Sequence, residues 1–478
     1  MVDQCIRTKW FALALGMALL AFPSAAFGQE EAATEAKAEA KTEDSSSKKS
    51  TDERLDTLES QVKTIAGEIS AAVTEAAVPK DGNWENYYGV GPVAGKVYRK
   101  DSGLSIGGYG EVLYQYNTSS TEYSFTDPPA GSPYKNPSPG PKQGKFDMLR
   151  AVLYVGYKFS DKWVLNSEIE FEHGGKSDVY VEFLNLDYQA MDELNFRVGL
   201  ILNPMGFVNQ VHEPTFYYGA QRPEVEQRMI PTTWREMGGG VYGRIADRVS
   251  YQAYAMVSLD GQEFNAEGYR DGRQKGIKST ANNWSFTARA DVDIISGLMA
   301  GGSIYTGHQG QNEDVGNLQM TMYELHAQFK RFGFTGRALF AQSFIDDPSK
   351  VNEKLESVEV EGVAQVNNPL LATESLGWYV EGAYDIFSLL MPDSRQSLEP
   401  YIRYSQVNTQ RAFQSGANAP SAQQLANGQR YNNEIITVGL QYKPIPQVVF
   451  TLDYRYEKTK ETDVPISKLV QVGVGYVF

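Results

Sequence analysis

The chain has one cysteine, Cys5, and four histidines in 478 residues. A single thiol excludes an intrachain disulfide and any cysteine-based metal site. His173, His212, His308 and His326 are scattered without metal-ligand spacing, so neither a metal nor a cofactor is expected. Only one long apolar run exists, Phe11 to Phe22. The lack of a second excludes a bundle of transmembrane helices. It does not exclude a β-barrel, whose strands are apolar only at alternate positions. Basic residues are the minority, 44 Lys and Arg against 59 Asp and Glu, and the net charge of −15 argues against nucleic acid as a partner. What is abundant is Gly (44), Tyr (29) and Phe (22), a composition suited to tight β-packing and aromatic girdles.

Arg7 and Lys9 precede the apolar run, and Ser24, Ala25 and Ala26 follow it. A basic region, an apolar region and an A-x-G site at Ala26-Phe27-Gly28 predict a signal peptide over 1–28, with maturation from Gln29. The competing reading, a retained anchor, has a run too short to span a bilayer. Cys5 is not at the cleavage junction, so no lipid anchor is expected there.

Residues 29–50 are mostly Ala, Glu, Lys and Ser, the composition of a disordered tether. Within 51–78, Leu55, Leu58, Val62, Ile65, Ile69 and Ala72 alternate in spacings of three and four. They are the a and d positions of a short coiled coil, or the apolar stripe of an isolated amphipathic helix. Residues 79–103 read as an irregular linker.

From Leu104 the period becomes two, which assigns 104–478 to an all-β domain. Val470, Val472, Val474, Tyr476 and Phe478 share one face, opposite Gln471, Gly473 and Gly475. Sixteen such tracts, from 104–117 to 468–478, are joined by links of alternating kind. Ser160-Asp161, Met191-Asp192, Asp247-Arg248, Ser296, Phe332 and Pro444-Ile445-Pro446 are tight, whereas 118–144, 203–234, 261–282, 346–374 and 409–430 are long and polar. Short turns on one side and long loops on the other are the asymmetry of a transmembrane antiparallel barrel of about 16 strands; a soluble sandwich has no reason to show it. Aromatics gather at the tight-turn ends, as at Phe159 and Trp163 or Phe329 and Phe334, where rings suit a membrane interface.

Sorting by face puts Arg150, Arg197, Arg244, Arg289, Arg337, Arg403 and Arg455 on the polar side. Glu111, Glu168, Glu170, Asp187, Asp291, Glu324, Glu381, Asp385 and Asp453 accompany them. Charges at mid-strand cost several kcal/mol toward lipid, so this face belongs to the lumen. Two readings stay open: arginines along one wall that steer anions, or lumen charges that pair with one another. In the long loop 203–234, His212, Glu213, Arg222, Glu224, Glu226 and Arg228 are candidates for a constriction, the alternative being an external lid.

Other signals weigh less. Gly238 to Gly243 satisfies G-x-G-x-x-G, but its glycines open an alternating strand, which excludes a nucleotide loop. Glu168, Glu170 and Glu172 share a face with no nucleophile or base motif beside them, so no catalytic site and no enzyme is expected. Nothing supports calcium at Asp346 and Asp347.

The alternating tract that ends on Phe478 resembles the insertion signal that the barrel-assembly machinery reads in outer-membrane proteins. The region from Leu104 to Phe478 resembles Gram-negative porins, and among them the phosphate-selective porin O and P group. The likeness is most local at Arg197-Val198-Gly199, Asn203-Pro204-Met205-Gly206, His212-Glu213-Pro214, Arg222-Pro223 and Pro231-Thr232-Thr233-Trp234-Arg235-Glu236. It implies a homotrimer whose third loop, here 203–234, folds into the lumen. The anion-selective members are known for basic lumens, whereas this chain is acidic overall. The expectation is a porin in the Gram-negative outer membrane, in contact with its lipid, passing small hydrophilic solutes or anions such as phosphate. The competing function is an envelope anchor that reaches the cell wall through the N-terminal helix.

Overall fold

The computed structural model describes residues 54–64, 89–119, 144–173, 179–311, 314–356, 359–360, 363–364, 369–416, 419–461, 464 and 466–478. The expected signal peptide, the tether, the heptad positions Ile65, Ile69 and Ala72, and residues 79–88 lie outside them. Met1–Ile65 and Ala66–Phe478 are separate compact units. In the first, residues 54–64 are helical, and Leu55, Leu58 and Val62 are exposed. No described helix is long and apolar enough to cross a membrane.

In the second unit the two-residue period becomes sixteen antiparallel strands. They are β1 Gly103–Asn117, β2 Gly144–Lys158, β3 Trp163–Glu172, β4 Val179–Met191, β5 Leu194–Leu202, β6 Arg235–Ile245, β7 Val249–Val257 and β8 Trp284–Ile295. The ring continues with β9 Leu298–His308, β10 Gln319–Arg331, β11 Phe334–Ile345, β12 Glu374–Tyr384, β13 Ser397–Ala412, β14 Asn432–Ile445, β15 Val448–Thr459 and β16 Ser467–Val477. Each pairs with its chain neighbours, and β1 pairs with β16, from Tyr109 opposite Val477 to Asn117 opposite Leu469. The ring is therefore a closed barrel, which leaves no strand edge to aggregate. Just beyond β16, Phe478 donates its N–H to Gly108 O at 2.9 Å, and Gly108 N–H returns a bond to Phe478 O at 3.1 Å. A Cβ at Gly108 would lie 2.7 Å from the Phe478 ring, so glycine is what admits the terminal aromatic at this seam.

The faces fall as the alternation requires. On β15, Phe450, Leu452 and Tyr454 are exposed, while Thr451, Asp453, Arg455 and Glu457 are buried inside. Outward apolar side chains such as Val198, Phe286, Leu325, Val380, Ile402 and Val472 continue this belt around the ring. Aromatic pairs bound it at the tight-turn end, Trp163 with Tyr188 at 4.9 Å and Phe329 with Phe334 at 6.1 Å. A second set stands near the long loops, with Tyr323 and Phe344 at 6.3 Å and Trp378 and Tyr404 at 5.3 Å. On β11, Phe334 and Phe344 are ten residues apart, about 25 Å of height for a strand tilted by roughly 40°, the thickness of an outer-membrane apolar band.

Three expectations need correction. The tract 375–388 ends as a strand at Tyr384. There Asp385 Oδ1 accepts from Phe387 N and Leu398 N and turns the chain into a short helix, Phe387–Leu390. The G-x-G-x-x-G glycines lie within β6, as expected, but Pro444 and Ile445 are the end of β14, not part of its turn. Finally, 89–100 is no free linker. Its Ala94–Arg99 turn is a 3-10 helix with Val97 and Tyr98 buried inside the barrel.

Candidate functional site

Loop 203–234 leaves β5 and returns to β6, and a clamp closes its neck. Asn209 Nδ2 donates to Asn203 O at 2.7 Å and to Trp234 O at 3.0 Å, while Asn209 Oδ1 accepts from Trp234 N at 2.7 Å. The asparagine thus reinforces the last backbone rung, Asn203 N–H to Trp234 O at 2.8 Å, where the chain departs from the wall. Beyond it the loop crosses the lumen. His212 Nε2 meets Glu168 of β3 at 3.0 Å, and four residues on, Phe216 O accepts from Arg337 of β11 at 2.8 Å. Those strands stand on opposite sides of the sixteen-stranded ring. Val225, Met229 and Ile230 share one buried apolar cluster with Leu339, Tyr379, Val407 and Ile435 of the wall. Burial of this underside holds the loop inward.

The wall arginines surround the lumen, and every one has an acid partner. Arg150 pairs with Glu111 at 2.9 Å, Arg197 with Asp187 at 2.7 Å and Arg289 with Asp291 at 2.8 Å. Arg403 pairs with Glu381 at 2.8 Å, Arg455 with Glu457 at 2.7 Å, and Arg337 with Glu381 at 3.8 Å. From the loop, Glu224 reaches Arg455 at 3.3 Å and Arg403 at 3.9 Å, and Arg228 reaches Glu457 at 2.7 Å. Arg222 is buried and donates to Thr232 Oγ1. The arginines are not gathered on one wall, because the inward positions they occupy belong to strands all round the ring.

Arg244 stands apart. It shares the inward parity of β6, yet sits at the tight-turn end, donating to Asp247 O at 2.7 Å and meeting the exposed Asp293 at 3.2 Å. Arg289 approaches the site and donates to the Gly206 carbonyl of the loop, whereas Arg197 joins Asp187 and the Tyr98 hydroxyl. The six loop candidates are placed within the lumen, not on an external lid. All but Arg228 are buried.

Burial acts on the loop acids. Glu213 is pushed up to about 8, and Glu226 to about 7 although Val208 N donates to it at 2.5 Å and Tyr379 Oη at 2.7 Å. For His212 burial works against the imidazolium, but the facing Glu168 carboxylate outweighs it and carries the group up to about 9.

Sequence reasoning missed two contributors. One is Asn209, an unremarkable polar residue whose role exists only once the neck closes. The other is residues 89–98, whose Gly89-Val90-Gly91-Pro92-Val93 run reads as a loop but whose apolar side chains are buried.

No family model matches the chain. An uncharacterised protein of Aquifex aeolicus (strain VF5) is 31% identical to it over 394 residues, which are 80% of this chain and 82% of that protein. Among solved structures, the chain is similar to a loop L8 deletion mutant of the Vibrio cholerae outer membrane protein OmpT, with a TM-score of 0.48 and 12% identity over 79% of this chain and 100% of that one. It is similar to the anion-selective porin from Comamonas acidovorans, with a TM-score of 0.48 and 10% identity over 79% and 100%. The outer membrane channel DcaP of Acinetobacter baumannii gives 0.47 and 11% over 79% and 97%.

Proposed function

The chain belongs to the same family as that Aquifex aeolicus protein, and we propose that it is a porin, a passive channel for small hydrophilic solutes. One observation carries the reading. The barrel is apolar outside, between two aromatic girdles, and charged inside, where a long loop crosses the lumen. An exposed apolar belt of this height is stable only in hydrocarbon, and charges set inside the ring keep that belt free of them. The Gram-negative outer membrane supplies that hydrocarbon. Export through the signal peptide 1–28, folding by the barrel-assembly machinery at the Phe478 tract, and assembly as a homotrimer complete the reading.

On selectivity, the phosphate preference implied by the resemblance needs arginines whose charge reaches the solute. Arg150, Arg197, Arg289, Arg337, Arg403 and Arg455 are compensated by neighbouring acids, which favours weak ion selectivity. Reconstitution of the purified chain into planar bilayers tests the channel. Stable single-channel steps in salt are expected, and a folded protein that never conducts overturns the proposal.

A further inference from the structure

A water-filled lumen calls for a polar wall, yet the inward positions of β1 to β4 include Tyr109, Val152, Tyr154, Val164 and Phe183, all buried. What covers them is the chain just ahead of the barrel. Val90, Val93, Ala94, Val97 and Tyr98 form one apolar cluster with these residues. We propose that residues 89–100 are a lumenal plug, and that this segment, together with the loop 203–234 that it abuts, limits conductance on the β1–β5 side.

The wall is shaped for the segment. A Cβ on Gly107 would lie 2.5 Å from Val93, and one on Gly156 would lie 2.8 Å from Val97 Cβ, so two glycines of β1 and β2 make the notches that receive two valines. Polar groups then hold its backbone. Asn166 Nδ2 donates to Ala94 O at 3.0 Å, and Lys158 Nζ donates to Tyr98 O at 3.1 Å. Tyr98 Oη donates to Asp187 Oδ2 at 2.8 Å and accepts from Arg197 Nη2 at 3.0 Å, which joins the plug to a wall ion pair. Side chains of the wall that serve carbonyls of the segment mark a built seat, since a carbonyl buried without a donor is costly.

The plug also abuts the crossing loop. Val93 N donates to Glu213 Oε1 at 3.2 Å, and Gly89 and Gly91 pass so close to Gln210, Gln252 and Glu213 that a Cβ at either position would overlap them. Solutes therefore find no passage between plug and loop at this point. Val93, Val97 and Tyr98 lie toward the tight-turn ends of β1, β2 and β4.

The proposal rests on the channel reading, and two variants of the full chain test them separately. Cys5 is the chain's one thiol. Val97→Cys, in a chain matured past residue 28, should resist a membrane-impermeant thiol reagent in the folded barrel and react fully once the barrel is unfolded, because Val97 is wholly buried in its seat. Full labelling in the folded barrel means that the seat is empty and overturns the plug. Val93→Asp with Val97→Asp places two carboxylates in the apolar seat, and it changes no strand residue, so the barrel still folds, as checked by heat-modifiable gel migration. Its single-channel conductance should rise at least about twofold over the unaltered chain, as widening a constriction requires. Equal, measurable conductance in both chains overturns the plug and leaves the porin standing. Current from neither chain overturns both.

Discussion

Arg403 and Glu381 face each other from β13 and β12 at 2.8 Å, and both are almost wholly excluded from solvent. Glu224 approaches the same guanidinium from the loop and lies 3.3 Å from Arg455. One loop carboxylate thus serves two wall arginines, and its removal leaves their positive charge less compensated. Glu224→Gln should shift the reversal potential under a salt gradient toward anions. A shift toward cations would show that the wall arginines do not face the solute.

Arg244 and Arg289 make a contrast within one measurement. Arg289 lies at 2.8 Å from Asp291 and binds the loop at Gly206, so Arg289→Gln should move selectivity toward cations. Arg244 is at the rim against Asp293, where water and salt screen it, and Arg244→Gln should change the reversal potential little. Equal effects would put the selective region at the rim.

The loop should respond to alkali. His212 has its affinity for protons raised by Glu168, so its stabilising charge is complete below its ordinary value near 6.5 and is lost as pH rises through about 9. Glu213, raised by burial, acts in the same direction: ionising it costs more in the folded site, so stability falls between its ordinary range and about 8. Protection factors at residues 209–215, which correct for the base-catalysed rise of intrinsic amide exchange, should fall between pH 6 and pH 9.5. Protection that rises over this interval would contradict the assignment.

Phe478 closes the seam between β1 and β16 through two backbone bonds to Gly108 and a ring seated on that glycine. Deleting it removes both the aromatic end of the insertion tract and the last rung of the ring. Folded protein in outer membranes should drop several-fold, read as heat-modifiable barrel on gels. Normal levels would mean that the closure needs no terminal aromatic.

The expected trimer is tested by mass. The helix at 54–64 exposes Leu55, Leu58 and Val62, and a stripe of this length is weak unless tethering raises its local concentration. Gentle detergent extraction should yield three copies, and removal of residues 29–78 should weaken the assembly without abolishing it. A monomer in both cases would sink the trimer.

The barrel was legible because its physics is local. A side chain that faces lipid must be apolar and its chain neighbour must not be, so period two recurs in every strand, and the sixteen tracts fall within a few residues of β1 to β16. The faces of Arg150, Arg403 and Arg455 followed from the same alternation. Parity does not report height along a strand, which is why Arg244 and Arg289 looked alike in sequence and stand at different levels. Nor does it report partners. The pairing of Arg403 with Glu381 and Glu224 joins residues distant in sequence and exists only once β12, β13 and the loop are assembled. Residues 89–100 carry no period at all: their valines are buried by glycine notches in strands that come later in the chain, and only the closed ring brings those notches to them.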